Sequence, residues 1–502
     1  MKRLLPWLLG AASGLVLALA LPGWNLWPLL LLFPGLLLEG LDRIDGRWRP
    51  LLLGWLGGTV HWAVATNWVV PVMHHYGGLP SILAVGCLVA MAAILGVLWA
   101  LAAALVSLVS PARRMWLFPA LWVLVQVAPR FPPFGFPWNE TASALAGHPH
   151  LLRSLPVWGA SGLGWALVAV GSGLWGLTRR ELRRTAAAVV GVAAALAVSL
   201  SLVAPDATPA GDVVRVAVIQ PGTSLEEKWD PSQWREIADR VWSLTRSAAA
   251  RGAGLVLWPE SAVPFSIESD PEYRAAVESL ARELGVDILL NSVGALEEGG
   301  YTNSAYLVSP LGLSPARYDK VHLVPFGEFV PGWARFAFTE ALVREVGNFT
   351  PGAEPTVVPA RAPVGVAICF EVVFPDLVTA EVRAGAEVLA TLTNDGWYGF
   401  SWAPRQHFAQ VVLRAAENRR FFARAALTGI SAVIDPHGRV VARLAVGDSG
   451  LLVEDVQPMT GLTPRARWGD WWAVLCVISA VVILASSWWT RRSSGEGKEV
   501  KS

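Results

Sequence analysis

The sequence predicts a polytopic α-helical membrane part joined to a layered α/β domain, and three observations carry that prediction. Hydrophobic residues make up 54% of the 502 and charged residues only 16%, too apolar for a purely soluble chain. Eight apolar stretches are long enough to cross a bilayer core of about 30 Å, seven of them before residue 205 and one after residue 469. Between them lies a segment in which short apolar strands alternate with amphipathic helices, the pattern of an α/β domain.

The stretches cover residues 4–21, 24–41, 51–71, 80–109, 115–129, 156–177, 185–204 and 470–489, and many of the 26 tryptophans sit at their ends, where amphipathic rings anchor spans at headgroup level. The fifth is the shortest and is interrupted by Pro119. Fifteen Lys and Arg residues fall in the connections on one side, among them Lys2, Arg3, Arg43, Arg113, Arg179, Arg491, Lys498 and Lys501, against Arg130 and Arg153 opposite. The positive-inside rule then puts both termini in the cytoplasm and the large segment outside it. The first stretch also has the form of a secretory signal ending in Ala18-Leu19-Ala20, and is expected to remain as an uncleaved helix because a second span follows at once. Asn139-Glu140-Thr141 and Asn348-Phe349-Thr350 match the glycosylation sequon, which is short enough to arise by chance.

The expected organisation is a membrane domain over residues 1–204, a turn-rich linker over 205–212, a catalytic domain over 213–457, and a last span with a basic tail over 458–502. Strands are expected at Val213 to Gln220, Leu255 to Trp258, Val286 to Asn291, Tyr301 to Val308, Ala316 to Val321, Val364 to Cys369, Val388 to Thr393, Phe422 to Ala426, Ser431 to Asp435, Val440 to Leu444 and Leu451 to Val456. Helices are expected over Gln233 to Arg251, after Asp270-Pro271 and over Pro404 to Arg419, with a hairpin at Glu297 to Gly300.

Cys369 ends a short buried strand and precedes a helix expected to begin near Leu377 under an Asp376 cap. A helix start favours the reactive thiolate and lowers the thiol pKa. Cys87 and Cys476 lie in spans as packing residues, so no disulfide framework is expected, and no Cys/His spacing suggests zinc or another cofactor. The formal charge of +1, 40 Lys and Arg against 39 Asp and Glu, gives no case for a nucleic-acid partner, and none is expected. Glu260 and Lys320 also stand where strands run out, and an acid, a base and a nucleophile brought together there would make an acyl-transfer site. His322 and His407 read as hydrogen-bonded structural residues, and His74-His75-Tyr76 as an interfacial anchor.

Trp258-Pro259-Glu260-Ser261, the run Tyr318 to Glu328, and Ile368-Cys369-Phe370-Glu371 resemble, in order, the three signatures of the nitrilase (carbon–nitrogen hydrolase) superfamily. The same motifs between seven leading spans and one trailing span resemble its membrane-embedded apolipoprotein N-acyltransferase family. Asn394 to Gly399 and Gln406-His407-Phe408 are similar to that family as well. The resemblance implies an extracytoplasmic αββα sandwich, a Glu-Lys-Cys triad at Glu260, Lys320 and Cys369, and supporting roles for Trp229, Glu328, Phe370 and Glu371. It implies a phospholipid acyl donor and a diacylglyceryl-cysteine apolipoprotein acceptor, with the acyl group carried as a thioester. Two departures stand out: Phe370 where the family often has Tyr, and Leu427-Thr428-Gly429 where Asn-Asn-Gly is expected.

The fold alone equally allows amide hydrolysis, so a membrane-tethered amidase remains a second reading. A transporter or sensor with an outer binding domain is a third, against which the near absence of charges in the spans argues. Phe326 to Phe338 and Trp397 to Trp402 are the candidate segments lining a lipid-facing mouth.

Overall fold

The computed structural model describes residues 3–296, 299–329 and 349–499. Outside this range lie Lys2, Lys501, Glu297 and Glu298 of the expected hairpin, Asn348 of the second sequon, and 330–338 of the candidate mouth segment. The chain divides into two units, Met1–Ala204 with Asp470–Ser502, and Pro205–Gly469.

Four helices of the first unit are long and apolar enough to cross a membrane by length and composition, Ser81–Ser107, Leu155–Leu177, Arg183–Val203 and Trp471–Ser493, with the shorter apolar helix Leu5–Ala20 besides. Two expected spans are broken rather than continuous. Residues 24–41 fold as the 3-10 turn Trp27–Leu31 and the helix Phe33–Asp42, each opened by a proline in its first turn. Residues 51–71 fold as Arg49–Ala65 followed by Val69–His75. Pro119, by contrast, sits inside the helix Pro111–Val127 without ending it.

Small residues let these helices close on one another. A Cβ at Gly58 would stand 2.8 Å from the Gly96 Cα, so Arg49–Ala65 and Ser81–Ser107 meet backbone to backbone there. Cys476 is buried in this unit, but Cys87 is exposed on Ser81–Ser107 and is no core packing residue, which corrects the sequence expectation. The buried Arg130 guanidinium donates to Asp470 at 2.7 Å and to Glu140 at 2.8 Å, and Ser161 donates to Asp470 at 2.6 Å. A buried arginine is tolerated when carboxylates offset its charge in this way.

Among the described residues the second unit holds two six-stranded sheets. The first runs in the order Gly450–Val456, Val214–Gln220, Leu255–Leu257, Asp287–Ala295, Tyr301–Ser309, Gly312–Asp319; the second in the order Val440–Arg443, Ala432–Ile434, Phe422–Ala426, Val388–Thr393, Pro363–Ile368, Val358–Pro359. Each has three parallel strands at its centre and antiparallel strands at its edges. The sheets pack face to face, Val214–Gln220 against Phe422–Ala426, with Gln220 accepting the Ser431 N–H at 3.0 Å.

Helices Trp234–Ala250 and Pro271–Leu284 cover the outer face of the first sheet, burying Ile237, Val241, Val277 and Leu280 on Ala217, Val256 and Ile288. Pro375–Arg383 and Ala403–Asn418 cover the second sheet, giving four layers. Asp270 caps its helix through the Glu272 and Tyr273 N–H groups. Asp376 does not cap: the helix begins at Pro375, two residues earlier than expected, and Asp376 instead accepts from Arg465 at 2.7 Å. Proline at the first helical position sets that start, because its fixed φ is already helical and it has no N–H to satisfy.

Inside Pro375–Arg383, Glu381 is 1% exposed and neither of its carboxyl oxygens has a partner among the described residues. Burial, then the Glu371 charge, push its pKa up to about 9. The folded chain therefore holds a proton that the unfolded chain releases near pH 4.5, so stability should fall as pH rises from about 4.5 to 9. Glu381→Gln should flatten that slope in unfolding temperatures taken across the range, and an unchanged slope would refute the assignment.

Candidate active site

Central strands of both sheets, and the edge strand Gly312–Asp319 of the first, deliver their carboxyl ends to one place. Cys369 follows Ile368 directly, Asn394 follows Thr393, Glu260 stands three residues beyond Leu257, and Lys320 follows Asp319. Cys369 has φ 53° and opens the 3-10 turn Cys369–Val373. That left-handed backbone costs about 1–3 kcal/mol for a residue with a Cβ, and persists only when the surroundings impose it. Ser261 and Phe326, beside Glu260 and Glu328, also have positive φ.

Glu260 is held at both oxygens. One accepts from Asn303 Nδ2 at 2.9 Å and lies 3.5 Å from Lys320 Nζ; the other accepts the Asn394 N–H at 2.9 Å. Lys320, 1% exposed, donates to Glu328 at 2.8 Å. Glu328 is fixed in turn by Asn303 at 2.7 Å and the Val324 N–H at 2.8 Å. Burial opposes the Lys320 charge, but Glu328 and Glu260 outweigh it and hold the ammonium above the usual lysine range. Asn303 bridges the two carboxylates while Asn291 donates to it at 2.6 Å and accepts the Ser261 N–H at 2.9 Å. Neither asparagine stands out in the sequence, because their roles come from strand pairing across Asp287–Ala295 and Tyr301–Ser309.

The Cys369 thiol is buried, and burial followed by the Glu260 charge pushes its pKa well above the usual range against the pull of Lys320. The thiolate expected from a helix start is therefore not the resting form: one 3-10 turn offers too little positive field to overcome desolvation and a carboxylate. Glu260 and Lys320, 3.5 Å apart, both act electrostatically on the sulfur, so the three candidate residues lie in one site. Tyr398 lies within reach of the Cys369, Asp395 and Glu260 charges; burial and those charges keep its hydroxyl protonated.

Glu371 is fully buried and ties the Lys320 loop to the Cys369 strand. One oxygen accepts from the Val321 N–H at 2.7 Å, the His322 N–H at 3.0 Å and the Tyr318 hydroxyl at 2.8 Å; the other accepts the Ile368 N–H at 2.7 Å. Burial pushes its pKa up to about 7, opposed by Lys320 and the backbone donors. Behind Cys369, His407 spans Asp395 Oδ1 and the Cys369 carbonyl, each at 3.0 Å, and Arg424 donates to Asp395. His322 stacks on Phe374 with ring centroids 4.2 Å apart.

Phe370 packs edge-on to Phe374, centroids 5.3 Å apart, so the ring stands in the core with no hydroxyl to offer. At Leu427-Thr428-Gly429 the backbone makes the links: the Leu427 N–H donates to Thr393, and the Leu427 and Thr428 carbonyls accept from Gly222 and Gly447. Trp229 is 56% exposed, its ring centroid 6.1 Å from that of Trp397, while Phe326, Trp397 and Phe400 are exposed as well. No group of three or more metal-ligating side chains occurs among the described residues.

Residues 215–465 match the carbon-nitrogen hydrolase family, and residues 13–173 match the apolipoprotein N-acyltransferase N-terminal domain. An apolipoprotein N-acyltransferase of Geobacter metallireducens is 34% identical over 496 residues, covering 95% of this chain and 94% of the relative. The chain belongs to the apolipoprotein N-acyltransferase family. A second member, from Methylococcus capsulatus, is 34% identical over 467 residues and 90% of each chain. As a member of this family the chain is an acyltransferase. Among solved structures, a nitrilase-superfamily amidase from Nesterenkonia is 23% identical with a TM-score of 0.39, covering 51% of this chain and 93% of that one.

Proposed function

We propose that this acyltransferase moves an acyl chain from the sn-1 ester of a glycerophospholipid, phosphatidylethanolamine, through a thioester on Cys369 to the N-terminal α-amine of diacylglyceryl-cysteine apolipoproteins, the last step of bacterial lipoprotein maturation. The observation that carries this reading is one buried thiol under the influence of both a carboxylate and an ammonium, in a unit whose exposed Trp229, Trp397 and Phe400 suit an acyl chain.

Because the thiol rests protonated, attack and proton removal go together. Glu260 takes the thiol proton as sulfur bonds to the ester carbonyl carbon. The oxyanion meets the Lys320 ammonium and the Phe370 N–H, and each such donor is worth about 10²–10³ in rate. The C–O bond breaks, and Glu260 returns the proton to the departing lysophospholipid oxygen. In the second half the neutral α-amine attacks the thioester, Glu260 takes an amine proton, and the Cys369 sulfur leaves and receives it. Trp229 lies at the entrance, Glu328 fixes Lys320, and Glu371 holds both loops.

The membrane part is proposed to cross the bacterial cytoplasmic membrane eight times, with both termini inside and the catalytic unit on the periplasmic side. Fifteen basic residues against two in the short connections support that orientation. A periplasm-dependent reporter fused after residue 210 should be active; activity only for a cytoplasmic reporter would reverse it. The reaction is tested with phosphatidylethanolamine labelled in its sn-1 chain and a diacylglyceryl-cysteine peptide. Label should reach the peptide, whereas cleavage of small amides without any labelling would establish the amidase instead.

A further inference from the structure

One charged side chain beside the site has no part in the chemistry above. Lys228 is the penultimate residue of the helical turn Leu225–Trp229, which is fixed by a reciprocal Ser224–Glu227 cap and by the Trp234 indole N–H donating to the Lys228 carbonyl at 2.9 Å. The turn leans on the Asn394–Tyr398 segment. Trp229 meets Trp397, and a Cβ on Gly396 would stand 3.5 Å from Leu225 Cγ. The Asn394 N–H in that segment is the one that holds Glu260. The Lys228 side chain is half-buried, and its ammonium makes no hydrogen bond or ion pair among the described residues. It feels the Glu260 charge, but the Glu260 oxygens already face Asn303, Lys320 and Asn394.

A cation placed at the edge of an ester-cleaving site, short of an anion, with aromatic side chains beside it, matches the donor lipid at one point. The phosphodiester lies one glycerol backbone away from the sn-1 ester that must reach Cys369, and it is the lipid's obligatory negative charge. We propose that Lys228 binds the phosphodiester of the acyl donor and so sets the distance between headgroup and reacting ester; this rests on the phospholipid-donor reading above. Burial draws the Lys228 ammonium down to about 8 despite Glu260, so pairing with a phosphate oxygen gives back what desolvation takes away. Donor binding should accordingly weaken as pH rises through about 8, as the ammonium loses its proton.

The test uses the full-length protein in mixed micelles and follows acyl-thioester formation by mass, with phosphatidylethanolamine and with an uncharged p-nitrophenyl ester of the same acyl chain. In Lys228→Gln the ratio of kcat/KM for the phosphodiester donor to that for the uncharged ester should fall about ten- to a hundredfold, the range for one hydrogen bond to a charged group. Most of the loss should lie in KM, and Lys228→Arg should recover most of the ratio. An unchanged ratio, or a defect confined to consumption of preformed thioester by the acceptor amine, would overturn the assignment while leaving the acyl-transfer reading intact. Wild-type protein that forms no thioester from any phospholipid would overturn both.

Discussion

Cys369→Ala is expected to form no acyl-enzyme and to transfer no labelled chain, a loss of about 10⁴-fold or more, as when other enzymes lose their nucleophile. The thiol is buried and small, and alanine accepts the same left-handed backbone at similar cost, so the variant should fold with its unfolding temperature close to wild type. Because burial and Glu260 keep the thiol protonated, alkylation of the wild type by iodoacetamide should be slow at neutral pH and accelerate in alkali. Acylation of the peptide by Cys369→Ala at more than a trace would remove the thioester from the mechanism. Rapid alkylation at pH 6 would show instead that the resting site holds a thiolate.

Glu371→Gln should lower kcat by about 10²–10³-fold while changing donor KM little. The carboxylate accepts four donors, three from the segment that carries Lys320 and one from the last residue of the strand before Cys369. Glutamine has one acceptor oxygen and an NH₂ group. If the oxygen serves the Val321 and His322 N–H groups, the NH₂ confronts the Ile368 N–H, and a buried donor is left unmet at about 1–3 kcal/mol. Lys320 and the sulfur then lose their shared brace, and oxyanion stabilisation depends on their relative placement. Labelled-chain transfer and thermal unfolding on the same preparation check this: full activity together with wild-type stability would leave Glu371 without the positioning role given to it.

Much of the catalytic unit was legible because its strands are short uncharged runs bounded by turn residues; Val388–Thr393 and Phe422–Ala426 appear with the limits expected from composition. Lys320 and Cys369 stood out as charged or reactive residues at strand ends. What could not be read was whatever depends on register or depth. Asn303 reaches Glu260 and Glu328 only because Tyr301–Ser309 pairs with Asp287–Ala295, and no local pattern encodes that. Arg424 drew no attention within its expected strand, and it is fully buried behind Asp395. The thiol pKa was misread because a sequence shows the helix start but not the depth of burial. In the membrane part, hydropathy identified apolar stretches but not the break at Trp27–Leu31, where Pro28 and Pro34 serve as helix openers, nor the one after Ala65.

The Asp470 carboxylate at the head of the last helix answers Arg130 from the N-terminal bundle, with Trp472 set edge-on to Trp158 and Trp165 beside it. That helix is therefore no interchangeable tether. A chimera carrying a foreign single-pass anchor after Gly469 would keep its attachment to the bilayer and still cost the Arg130 guanidinium one of its two carboxylate partners, leaving Glu140 alone to answer it, so a replacement helix needs an acidic residue at its head and not hydrophobic length alone.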